Sequence, residues 1–215
     1  MSITNYSELK TAVANYMLRS DLTSRIPEFI QFAESRIAYG SKIPSMVSEP
    51  LRIRSMETSS TLTVDAQTVA LPSGYLQSRR LYLATDPIAK LDFVTPDVFW
   101  ETYMSSTTAQ PTAYTIEGEN LVFGPTPDGT YSGRILYYKK FDALSGDTDT
   151  NWLLTNVPNA YLYGALAEAF GYARAFDKAQ LALAQFVGII NALNSSDKAD
   201  RYATPWVAKT DVGNP

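Results

Sequence analysis

The hydrophobic period changes twice along this chain, and that constrains its fold more than any single motif does. In NYSELKTAVANYMLR the apolar residues Tyr6, Leu9, Val13, Tyr16 and Met17 recur at helical spacing, and Asn5 with Glu8 forms a capping-box pattern. In SRIPEFIQFAESRIAYG, Ser24 suits an N-cap and Pro27 a first turn. Ile26, Phe29, Ile30, Ala33 and Ile37 make one face, and Gly40 marks a stop. From Leu51 the pattern alternates instead. STLTVDAQTVALPSGYL, RRLYLATDPIAKLDFV, AYTIEGENLVFGP and TPDGTYSGRILYYKKF are rich in Thr, Val and Tyr, with turn signals at Asp86-Pro87, Gly118-Glu119 and Asp128-Gly129. TPDVFWETYM interrupts them with one short helix capped at Thr95.

Helical spacing returns after ALSGDTDTN. Thr155 or Asn156 caps a third helix with Leu162, Ala165, Leu166, Ala169, Phe170, Ala173 and Phe176 on its buried side. Asp177 caps a fourth, whose stripe reads Leu181, Ala184, Val187, Ile190 and Leu193. The economical expectation is an α+β fold: a four-helix bundle formed by N- and C-terminal helical hairpins, an inserted antiparallel β-rich domain, and an extended C-terminal tail. The expected boundaries are 1–50 and 151–194 for the hairpins, 51–150 for the insertion and 195–215 for the tail. That tail is polar yet carries Tyr202 and Trp206, the composition of a docking segment.

The residue types narrow the chemistry. With no cysteine there are no disulfides, thiol nucleophiles or thiolate metal sites, and with no histidine there is no Ser–His triad or zinc hydrolase centre. Asp147-Thr148-Asp149-Thr150-Asn151 opens like a calcium loop. The required glycine and glutamate positions hold Trp152 and Pro158, so a solvated acidic loop is expected. Glu117 with Glu119, and Asp92 with Asp97, are paired carboxylates with no third group converging on them. No catalytic residue, cofactor or metal site is expected.

Net charge is −4, and the imbalance lies wholly in the middle: residues 51–150 hold eight basic and twelve acidic side chains. This argues against a phosphate-grasping surface. Arg79-Arg80 and Lys139-Lys140 sit in predicted strands, where neighbouring side chains point to opposite faces, so neither pair is expected to form a compact patch. They remain candidate subunit-interface residues beside acidic neighbours. Tyr161, Tyr163 and Tyr172 join them, because three tyrosines at these spacings cannot all face inward. No apolar run reaches the ~20 residues of a membrane span, and the N-terminus lacks a secretory pattern, so a soluble intracellular product is the expectation.

The order of YSELKTAVANYMLRSDLTSRIPEFIQFAESRI, LPSGYLQSRRLYL, YTIEGENLVFGPTPDGTY, ILYYKKFDALS and NWLLTNVPNAYLYGALAEA resembles the head-to-tail adaptor proteins of tailed bacteriophages, of the tail tubular A type. The resemblance covers about residues 5–200. It implies a structural virion protein at the head-tail junction, assembled as a ring of twelve that joins the portal protein to a tail or nozzle protein. DNA would pass the channel without sequence-specific binding. On this reading Tyr202 and Trp206 anchor the tail on the portal or an adjacent subunit. The rivals are a tail-completion protein lower in the tail and a carbohydrate-binding or carbohydrate-acting module using Glu117 and Glu119.

Overall fold

The computed structural model describes residues 2–19, 21–43, 46–103 and 107–202. The chain divides into two units, one of residues 1–54 with 142–215 and the other of residues 55–141.

The first unit is built around one helix. Its elements are α1 (Tyr6–Met17), α2 (Ile26–Tyr39), a two-stranded ribbon of β1 (Ser41–Ile43) and β2 (Met46–Ser48), α4 (Trp152–Asn156), α5 (Pro158–Tyr172) and α6 (Phe176–Tyr202). Helix α5 packs against α1, α2, α4 and α6, and Ala160, Tyr161, Leu162, Gly164, Ala165, Leu166, Ala167 and Ala169 are all buried. A helix apolar on nearly every side belongs in the centre of its unit. Close approach is set at Gly164, where an added Cβ would lie 2.9 Å from the Ala33 Cβ and 3.2 Å from the Phe186 ring. Between α2 and α5, Arg36 pairs with Glu168 at 2.6 Å.

Helix α1 begins where its exposed N–H groups find acceptors. Asn5 Oδ1 accepts from the Glu8 N–H, and Glu8 Oε2 accepts from the Thr4 N–H and hydroxyl. The acidic loop then supplies the rest: the Tyr6 N–H donates to the Asp149 carbonyl at 2.9 Å and the Ser7 N–H to the Asp147 carbonyl at 3.0 Å. The loop holds itself closed through the Asp149 carboxylate, which accepts from the Gly146 N–H, the Ser145 N–H and the Ser145 hydroxyl. Those backbone donors depress the Asp149 pKa. This calcium-like stretch is a helix cap.

The second unit is a seven-stranded sheet in the order β3-β9-β5-β6-β7-β8-β4. The strands are β3 (Glu57–Val64), β4 (Thr68–Ala70), β5 (Tyr75–Leu83), β6 (Ala89–Phe93), β7 (Ala113–Glu117), β8 (Asn120–Gly124) and β9 (Tyr131–Lys139). The edge strands β3 and β4 are consecutive and touch, so the sheet nearly closes on itself. Closure removes most of the free strand edge that would otherwise invite pairing with other chains. Val64, Leu81, Leu83, Leu91, Leu121, Phe123, Ile135 and Tyr137 fill the interior. Strands β6 and β7 run parallel, with α3 (Pro96–Thr102) in the connection between them. Phe99 of α3 packs on Ala113 and Val122, and a Cβ at Gly124 would lie 2.8 Å from the Phe99 ring.

This architecture overturns the expected one. The chain is not a four-helix bundle carrying a small antiparallel insertion: six α-helices occur among the described residues, and the sheet is mixed and nearly closed. The four amphipathic segments exist, but α1, α2, α4 and α6 all pack on α5 instead of two hairpins pairing as equals. The expected extended tail also begins later, because α6 stays helical to Tyr202. Its polar second half is held by side chains. Asn194 accepts from the Arg52 N–H and donates to the Pro50 carbonyl, and Asp197 accepts from the Arg54 N–H at 2.7 Å.

Two expectations follow. Gly164→Val should destabilise the protein by about 2 kcal/mol in urea unfolding, because the contact at α5 has no room for a branched side chain. Asp149 is depressed in the folded state, so the cap it closes is intact above the ordinary carboxylate range and lost as pH falls below about 4. Protection factors of the Tyr6 and Ser7 amides should fall over that window, and Asp149→Asn should abolish the dependence.

Candidate functional site

Exposed apolar and aromatic side chains stand out on each unit. On the helical unit, a groove of about 480 Å³ runs between α1, α5 and α6, lined by Tyr16, Tyr163, Leu166, Phe170, Leu181 and Ala182, with Lys178 and Gln185 at its polar side. Leu18 is 90% exposed and Leu181 65% exposed, unusually open for leucine. Leu18 ends α1 with a left-handed backbone of φ 55°, which throws its side chain outward. Lys178 stands 5.7 Å from the Phe170 ring centre.

The three candidate tyrosines take three different settings. Tyr163 lines the groove. Tyr172 is exposed but outside its lining, 5.7 Å from Phe29 by ring centre and beneath the Arg25 guanidinium. Tyr161 is 1% exposed, and its hydroxyl accepts from Asn151 Nδ2 at 2.8 Å. Burial drives its phenol pKa strongly upward, and the Asn151 hydrogen bond only partly opposes this. Tyr161 thus joins α5 to the Asn151 that caps α4, and offers no surface of its own.

On the sheet unit, the paired arginines depart from strict alternation. Ser78 pairs with Tyr137 and Arg80 with Leu136, so Arg79 is an extra residue in a β-bulge. A bulge re-aims side chains. Arg79 bonds Glu57 and lies 5.6 Å from the Tyr138 ring centre, while Arg80 stands opposite Leu136, two residues from Tyr138 on the same face. The bulge therefore gathers Arg79 and Arg80 on one outer face, joined there by Arg134, which contacts the Ser59 hydroxyl. Lys139 lays its stem against Gly74, and Lys140 follows at the strand end, its N–H donating to the Gly74 carbonyl. Both lysines are half-buried.

Elsewhere on that unit, the Trp100 indole N–H of α3 donates to Glu117, and Trp100 and Val98 are each 49% exposed. Glu119 lies in the β7–β8 turn, where Gly118 takes φ 59°. Sequence reading found the carboxylates but not the exposed tryptophan beside them. The signal was there: PDVFWET offers one buried position, and Phe99 takes it. Tyr202 closes α6, and Trp206 lies outside the described residues. Among the described residues no group of acidic side chains is arranged to hold a metal ion, and no helix is long and apolar enough to cross a membrane.

Residues 4–209 match the family of SU10 adaptor proteins, and the chain belongs to that family. Its role is accordingly that of a bacteriophage adaptor, a structural protein of the virion. No curated protein matches the chain.

Leu181→Asp should leave monomer stability within about 0.5 kcal/mol of wild type in thermal unfolding, since the side chain is exposed. The same change should weaken any self-association read by sedimentation if the groove is a contact surface.

Proposed function

We propose that this adaptor is the connector between portal and tail, of the tail tubular A type: copies form a ring, twelve in number, beneath the portal protein and above a tail or nozzle protein. DNA crosses an axial channel without sequence-specific contacts. The observation that carries this reading is the family match, which runs through both units and on past the end of α6. The open apolar groove of α1, α5 and α6 supports it, because exposed leucines of this kind are covered in assemblies. The net charge of −4 per subunit also suits a conduit that does not retain DNA.

The C-terminal segment is the portal-docking element in this reading, with Tyr202 and Trp206 as aromatic anchors. Truncating one buried aromatic at an interface commonly costs about 2 kcal/mol or more. Deleting residues 203–215 keeps α6 and its Asn194 and Asp197 contacts, so the shortened protein should fold as wild type by circular dichroism. Mixed with the portal protein of its own phage, wild type should give rings on portal in electron micrographs and the shortened protein should give none. Rings of normal occupancy from the shortened protein would remove the docking role, and an absence of wild-type rings would remove the connector reading.

A further inference from the structure

The sheet unit carries two unlike surfaces that complement each other, which is what a head-to-tail contact between copies requires. On the outer face of β5 and β9, Arg80 stands opposite Leu136 and Arg134 opposite Tyr82, so the two guanidinium groups are diagonal neighbours. Diagonal neighbours are only about 7–8 Å apart, close enough for like charges to repel. Among the described residues no carboxylate pairs with either arginine, whereas Arg79 beside them is neutralised by Glu57 and Lys90 by Asp92. The face is left with positive charge in excess.

Across the sheet, beyond β6, the opposite pattern holds. Asp97, Trp100 and Glu101 share one side of α3 at helical spacing, and Trp100 is tied to Glu117. Asp97, Glu101 and Glu119 are exposed, and among the described residues no cation pairs with them or with Glu117. An exposed indole bonded to Glu117, with Asp97 and Glu101 on its side of α3, is a fitting partner for paired arginines: the ring face attracts a guanidinium and the carboxylates take its N–H groups.

We propose that the Arg80–Arg134 face of one copy seats on the Trp100 rim of the next copy. The inference rests on the ring reading above and adds which surfaces meet. Two different patches on one chain define a heterologous contact, which closes into a ring when the rotation permits. Nucleic acid is the weaker occupant, because residues 55–141 hold six basic and nine acidic side chains and would repel a phosphate backbone on balance.

Charge exchange tests this on the full-length chain, with and without its portal protein, by native mass spectrometry. Arg80→Glu with Arg134→Glu should lower ring yield roughly tenfold or more, and Asp97→Lys with Glu101→Lys should do the same. All four changes together should restore rings, because the surfaces are then exchanged but still complementary. The chain has no cysteine, so Arg80→Cys and Glu101→Cys report the same contact without reversing a face. Mixed and oxidised, these two variants should form disulfide-linked heterodimers, and neither should dimerise alone. Unchanged rings from the arginine variant, no recovery in the fourfold variant, or homodimers of Arg80→Cys would each overturn the contact. So would arginine-dependent retention of duplex DNA without recovery of rings. Wild-type rings alongside such failures leave the connector reading standing; no wild-type rings would end both.

Discussion

The close seating of Phe186 and Ala33 against Gly164 is the contact on which the helical unit depends. It lets α5 sit within reach of α2 and α6 at once, and the surrounding alanines keep that spacing along the helix. Everything else in the unit is arranged around a rod that has almost no polar side of its own. The N-terminus of α1 cannot be satisfied by α5 and turns to the 145–149 loop for acceptors. The Arg36–Glu168 pair, partly shielded from water, joins α2 to α5.

The sheet unit solves a different problem. Seven strands with a polar exterior need either cover or closure, and the approach of β3 to β4 supplies closure. The parallel step from β6 to β7 places α3 against Ala113, Val122 and Gly124, and the need for a tight fit beneath Phe99 leaves Trp100 pointing outward. The exposed tryptophan is thus a by-product of how the crossover packs, and it becomes available for contact.

Much of this was legible in the residues. The stripe of α2, Ile26, Phe29, Ile30, Ala33 and Ile37, is buried throughout, and Asn5 caps α1. The stripe of α6 was only partly right: Ile190 is buried as expected, but Leu181 and Ala184 are exposed, and Ala182, Leu183 and Phe186 are buried in their stead. LALAQFVGII satisfies two helical registers equally well, and only the bulk of Phe186, seated at Gly164, chooses between them. Strand alternation failed at Arg79 because a bulge changes the count by one, and no local residue type announces it. The capping role of the calcium-like loop and the helical polar end of α6 were missed for a common reason. In both, side chains and carbonyls satisfy backbone groups far away in sequence, and a one-dimensional pattern holds no record of that partner.

The anchoring of α6 at Asn194 and Asp197 has a mechanical side. Tension entering beyond Tyr202 travels along a rigid 27-residue rod and is delivered to the backbone at Pro50, Arg52 and Arg54. Those bonds lie between Tyr202 and the apolar seat of Phe186, so a pull on the end of this helix would load them before the packing beneath.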